Sequence, residues 1–144
     1  MLNFVVDGIP VAKARARVVM RGKYPGAYTP KASKDYETLF AIAAKSAMNK
    51  EKLKIIETPC DLFVRFYLPI PVSTSKKKTE LMRTGEIRHA KKPDLDNLLK
   101  QICDAMNGIV WKDDSQVVRI VASKHYGEPC VYVTVIQSAL QSAC

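Results

Sequence analysis

Apolar residues alternate with polar ones, or recur every three to four positions, through most of the chain, and these two periods mark out its elements. LNFVVD at 2–7 reads as a short strand, broken by Gly8-Ile9-Pro10. ARVVMRGKYPGAYT at 16–29 reads as two short strands around a turn at Gly22 or Pro25-Gly26. Thr29-Pro30 has the form of a helix cap and a first-turn proline. The helix it predicts runs over about 30–49, with Tyr36, Leu39, Phe40, Ala43, Ala44 and Ala47 on one face. CDLFVRFYL at 60–68 alternates like a half-buried strand and ends at Pro69 and Pro71.

Residues 73–92, STSKKKTELMRTGEIRHAKK, are polar and basic. They predict a short helix over 75–83 and otherwise a mobile loop. Leu95, Leu98, Leu99, Ile102 and Met106 then form the apolar stripe of a helix over about 94–106, with Asp94 or Asp96 as cap and Asn107-Gly108 as stop. SQVVRIVASK at 115–124 and CVYVTVI at 130–136 are β-rich, with a turn at 126–129. No repeat or linker interrupts the series, and the ending QSALQSAC carries no signal. The expectation is one α+β domain spanning 1–144, a mixed β-sheet packed by two main α-helices.

At 144 residues with 47% hydrophobic content, the chain is long enough for one domain with a real core. Its charge changes the picture. Lys and Arg total 23 against 14 Asp and Glu, a formal +9, which suits a polyanionic partner such as nucleic acid. A solvated basic surface accounts for the same number. The cysteines at 60, 103, 130 and 144 have no C-x-x-C spacing, and His89 and His125 are the only histidines, which argues against a zinc site. They read as thiols of a reducing cytosol. The N-terminus does not look like a signal peptide, and no apolar run approaches the ~18 residues of a membrane span. A cytoplasmic protein with no membrane partner is expected.

Five of the acidic residues fall within PDLDNLLKQICDAMNGIVWKDDSQ: Asp94, Asp96, Asp104, Asp113 and Asp114. Phosphodiester hydrolysis at neutral pH needs a strong nucleophile and charge stabilisation at phosphorus, and magnesium held by carboxylates supplies both. An Asp-x-Asp at a helix start, with a later Asp returned by a turn, can form such a cluster. Asp96 and Lys100 stand four apart on one helical face, where the lysine could hold the scissile phosphate. The same residues admit a plainer account. Asp94 and Asp96 can cap the helix, Lys100 can pair with Asp96, and Asp113-Asp114 can be a turn. An EF-hand loop from Asp94 fails on Leu98 and Leu99. HAKKP before the Asp-x-Asp does not resemble the buried strand of an aspartyl-phosphate phosphatase, and no P-loop pattern occurs.

KPDLDNLLKQICDAMNG followed by VWKDDSQV resembles the signature of the RusA family of Holliday junction resolvases. Its pattern is matched by Lys92, Asp94, Asp96, Asn97, Lys100, Asp104, Ala105, Asn107, Gly108, Trp111, Asp113, Asp114 and Gln116, with Met106 where leucine is commoner. GIPVAKARARV and YTPKASKDYE are similar to the family's phage and bacterial branch. The resemblance implies a RusA-like fold, magnesium or manganese dependence, and a homodimer that nicks two opposed strands of a four-way junction. It implies catalytic roles for Asp94, Asp96, Lys100 and Asp114, with the three aspartates as metal ligands, and a bacterial or phage origin. Asp104 and Asp113 match recurring positions with a weaker claim as ligands. If 113–114 were extended, the two aspartates would face opposite ways.

Residues 8–34 hold seven basic and no acidic side chains, and a second basic block covers 76–92. Lys13, Arg15 and Arg17 alternate, so an extended segment would line them up for successive phosphates. These three, with Lys31, Lys91 and Lys92, are the candidate DNA contacts. His89 reads as a solvated loop residue, His125 has no evident partner, and Trp111 reads as core or interface. The strand at 130–136, taken as an otherwise exposed edge, is a candidate dimer contact. Two other readings stay open: a non-catalytic protein that binds junctions, and a structural oligomer whose charge is incidental.

Overall fold

A computed structural model describes residues 1–14, 17–22, 24–28 and 30–139; at 17–21 and 24–28 the description covers the backbone. The first element, β1, is Leu2–Asp7, and a loop follows it as far as Ala14. The elements that follow are β2 (Arg17–Arg21), β3 (Tyr24–Tyr28), α1 (Lys31–Lys50), β4 (Cys60–Leu68), α2 (Lys76–Thr84), α3 (Leu95–Met106), a 3-10 turn at Asp114–Gln116, β5 (Val117–Tyr126) and β6 (Cys130–Gln137). β2 and β3 form a separate hairpin turned at Gly22, whose φ of 65° suits glycine.

The main sheet has the order β1-β6-β4-β5. β6 is antiparallel to both its neighbours, and β4 and β5 are parallel, so the sheet is mixed. The parallel pair is joined by a long crossover containing α2 and α3, as parallel pairing requires. β5 returns to β6 across the end of β4, where Gly127 N–H donates to the Leu68 carbonyl at 2.9 Å. A side chain at Gly127 would come within 2.9 Å of the Tyr67 ring. The crossing is that tight.

Alternation along β4 explains the core. Cys60, Leu62, Val64, Phe66 and Leu68 are buried, while Asp61, Phe63, Arg65 and Tyr67 are wholly or partly accessible. The buried face meets Tyr36, Phe40, Ala44 and Met48 of α1 and Leu98, Ile102, Ala105 and Met106 of α3 in one cluster. Full burial of a side chain such as Phe40 or Phe66 contributes about 1.5–3 kcal/mol. A buried polar link joins the two helices directly: Gln101 Nε2 donates to the carbonyl and Oγ of Ser33 at 2.7 and 3.1 Å.

Several expectations need correcting. Pro30 stands at the cap position before α1, not in its first turn, and Thr29 lies outside the described residues. β6 is paired on both sides, so the strand at 130–136 is interior and offers no free edge; the edges belong to β1 and β5. The stretch after α2 is held in place. Ser75 caps α2 by accepting from Lys78 N–H, Gly85 ends it at φ 85°, and Ile87 N–H donates back to the Leu81 carbonyl at 3.0 Å. His89 is not a solvated loop residue, since its ring lies 4.6 Å from that of Tyr126. His125 does have partners: the Tyr67 ring stacks on it at 5.1 Å and Ser123 Oγ lies 2.7 Å from its Nε2. Trp111 is fully buried in the core. Among the described residues Cys60, Cys103 and Cys130 are free, and no helix is long and apolar enough to cross a membrane.

Candidate functional site

The site is built on the accessible side of α3. Its opposite face is committed to the core, which leaves Asp96, Lys100 and Asp104, four residues apart in turn, along one stripe. Asp94 occupies the cap position, yet its side chain makes no capping hydrogen bond. Its exposed carboxylate is left free of that bond. Asp96 Oδ1 accepts from the Asn97 N–H at 3.0 Å.

Lys100 does not pair with Asp96. Its Nζ donates to Asp104 Oδ1 at 2.9 Å, and Asp104 Oδ2 lies 3.3 Å from Lys13, which also donates to Glu37 Oε2 at 2.9 Å. This chain of charges ties α3, the 8–14 segment and α1 together. Lys13 N–H adds a bond to the Asn97 carbonyl at 3.0 Å, and Ala14 N–H donates to Ser33 Oγ at 3.2 Å. The pairing with Asp104 raises the pKa of Lys100, Asp114 adding to the effect, so the amine stays charged. At 63% side-chain exposure it remains open to a ligand.

Asp113 and Asp114 divide their work at the 3-10 turn, and neither lies on a strand as the alternation argument supposed. Asp113 caps the turn: its Oδ2 accepts from Ser115 N–H at 3.0 Å, and its own N–H donates to Gln116 Oε1 at 2.8 Å. The bonds from Ser115 lower its pKa. Gln116 Nε2 reaches the carbonyls of Ile56 and Thr58 at 2.7 and 3.0 Å, fastening the turn to the strand-like segment before β4. Asp114 is thereby left to face α3. Its Oδ1 accepts from Trp111 Nε1 at 2.8 Å, and its charge acts on both Lys100 and Cys103. Burial first, and then Asp114 and Asp104, push the Cys103 thiol up to about 12, so it stays protonated and is a poor metal ligand.

The structure therefore groups Asp114, Lys100 and Asp104 on one flank of α3, with Asp96 and Asp94 toward the start of the helix. A helical rise of ~1.5 Å per residue separates Asp96 from Lys100 by about 6 Å along the axis. Among the described residues no three His, Cys, Asp or Glu side chains stand close enough to hold one ion together. The donor chemistry of Asp94, Asp96 and Asp114 still suits a hard cation. Magnesium keeps several waters and commonly binds one or two carboxylates plus a substrate phosphate, so it does not require a closed protein cage.

Of the basic candidates, Lys31, Lys91 and Lys92 are exposed, whereas Lys13 is occupied by Glu37 and Asp104. Arg15 lies outside the described residues, and Arg17 is described by its backbone in β2, opposite Tyr28. Sequence reasoning missed Glu37, and it missed Lys124. Lys124 Nζ donates to the carbonyls of Lys91 and Pro93 at 2.7 and 3.0 Å, which fastens β5 to the loop just before Asp94. No motif marks that contact; it follows from the parallel register of β5 on β4.

Comparison with known proteins places the chain in a family. Over 129 residues, 88% of this chain and 89% of the other, the sequence is 39% identical to "Uncharacterized protein YqaN" of Bacillus subtilis (strain 168). Residues 7–136 match the family model described as Endodeoxyribonuclease RusA, a span that takes in both the α3 aspartates and the Asp113-Asp114 turn. The chain belongs to the RusA endodeoxyribonuclease family.

Proposed function

We propose that this protein is a divalent-metal-dependent endonuclease that resolves four-way DNA junctions by paired nicks, acting as a homodimer. The observation that carries the reading is the placement of acidic and basic groups along α3: Asp114 near a charged, accessible Lys100 on its flank, and Asp94, which makes no capping bond, with Asp96 at the helix start, all in a chain of formal charge +9. In so basic a chain, carboxylates at the start of α3, with Asp94 exposed and making no capping bond, suit a cation better than bare DNA, whose phosphates they would repel.

Asp94, Asp96 and Asp114 are the residues that would hold magnesium or manganese. What such an ion supplies is Lewis acidity at the phosphodiester and acidification of the attacking water. The protein's part is positioning. Asp104 aims Lys100, whose ammonium can hold a phosphate oxygen and steady the charge that develops there. Trp111 fixes one oxygen of Asp114 and leaves the other available. Lys31, Lys91 and Lys92 are free to meet flanking phosphates.

A second copy would be needed for the second nick, and C2 pairing provides it most simply. The sheet face turned away from the helices supports this, since Val5, Val121 and Tyr132 on it are exposed apolar or aromatic residues.

A second reading, a junction binder that does not cut, draws on the lack of a closed three-carboxylate group among the described residues. Incubating the protein with a synthetic four-way junction, with and without magnesium, separates the two. Paired, metal-dependent nicks support the endonuclease; tight binding with intact strands in magnesium and in manganese overturns it.

A further inference from the structure

Beside the start of α3 lies a cavity of about 520 Å³, between the segment that follows α2 and the C-terminal ends of β4 and β5. Tyr67, Arg83, Arg88, His89, Lys124 and His125 line it, and no Asp or Glu does among the described residues. Its volume falls within the range of small-ligand pockets, about 300–1,000 Å³. Leu95, the first residue of α3, forms part of the wall, and the Lys124 bonds to the Lys91 and Pro93 carbonyls join the cavity to the loop that carries Asp94.

Two features of the lining point to a ligand. It offers cations together with aromatic rings: Tyr67 and His125 are stacked at 5.1 Å, and His89 packs on Tyr126 at 4.6 Å. And it is not self-satisfied, because His89 Nδ1 is buried with no hydrogen-bond partner among the described residues. Burial lowers the pKa of both histidines, with Lys124 and Lys91 adding to this at His89 and Arg65 and Arg88 at His125. The local field is thus positive before any histidine is protonated. A positive, ring-lined hollow suits a group that has both a phosphate and a flat heterocycle.

We propose that this cavity is a nucleotide-binding pocket, which takes one unstacked nucleotide of the DNA strand next to the cleavage centre. Arg83 and Arg88 meet its phosphate, and the Tyr67–His125 pair, with His89, meets its base. The inference rests on the endonuclease reading. Branched DNA suits it because bases at an exchange point unstack at lower cost than those within a duplex.

The test uses an Asp96→Asn protein, so that the DNA stays whole, and a four-way junction carrying 2-aminopurine at successive positions around the exchange point. The expected result is a fluorescence change confined to a position flanking the nick site. Adding His125→Ala should abolish that signal and weaken junction binding roughly 5- to 150-fold, the range for one stacked base, and Arg88→Ala should reduce both the signal and the affinity through the lost phosphate contact. Arg88 is exposed outside any helix or strand, so its variant keeps the test valid if His125→Ala fails to fold. Signals and affinities unchanged in both variants overturn the pocket and leave the endonuclease reading standing. A wild-type protein that neither binds nor nicks the junction overturns that reading first, and the pocket with it.

Discussion

Trp111 donates its indole N–H to Asp114 Oδ1 at 2.8 Å, so a ring fully buried in the core sets the position of a partly exposed carboxylate. The core and the site are coupled through that one bond. Trp111→Phe keeps most of the apolar volume and removes the donor. It should destabilise the fold by about 2 kcal/mol or more, read from urea unfolding. Nicking should fall roughly 10–100-fold, as for loss of an outer partner of a metal ligand, with junction binding little changed. Full nicking by a folded Trp111→Phe protein would show that Asp114 needs no such support.

Asn at Asp94, Asp96 or Asp114 should remove nicking more completely than Trp111→Phe does. Junction affinity without metal should hold or rise, because a negative charge near phosphate is gone. Gel-shift and nicking assays on the same three variants check both halves. A variant that still cuts at the wild-type rate would drop that aspartate from the ligand set.

Lys13 and the pair Lys91 and Lys92 should behave differently although all three were expected to meet DNA. Lys13 holds Glu37 and Asp104 and is only a quarter exposed, so Lys13→Ala should cost up to about 1 kcal/mol of stability. Lys91→Ala and Lys92→Ala should leave stability unchanged, and each should reduce the salt-dependence slope of DNA binding by ~0.9. A slope lowered by Lys13→Ala, with stability intact, would put its ammonium on a phosphate.

Both histidines have their pKa lowered below 6.5 in the folded chain, chiefly by burial. The unfolded chain therefore takes up their protons first as pH falls. Stability from these groups is full above about pH 6.5 and is lost on going down through the lowered folded values. Urea midpoints should be flat from pH 8 to about 7 and decline toward pH 5, less steeply in His89→Gln. A midpoint that rises on acidification through that window would contradict the burial seen here.

The strands at 2–7 and 60–68 and the helix near 95–106 were legible in sequence because one face of each is buried, and burial imposes the period. Sheet order was not, since alternation is the same for an interior strand and an edge, and β6 was misjudged for that reason. At the site, Asp-x-Asp and the Asp-Asp turn were visible as letters. The partner of Lys100 was not. Asp96 and Asp104 are both four residues away, and an acidic residue N-terminal to the lysine is the better local pair. Tertiary structure reversed the choice, because Asp104 also meets Lys13 while Asp96 turns to the Asn97 N–H. The link from Lys124 to the Lys91 and Pro93 carbonyls depends on two backbone groups, which no side-chain motif can encode.

β1 pairs in the main sheet with β6 alone. During synthesis, then, β1 leaves the ribosome long before β6 and must wait for it before it has a neighbour. Until Cys130–Gln137 emerges, β1 cannot dock through its ladder, and the loop that runs from it to Lys13 lacks its anchor on that side. A stop codon just before Cys130 would spare every aspartate of the site and still release β1, so loss of β6 should read out as exposure of residues 2–7 to protease.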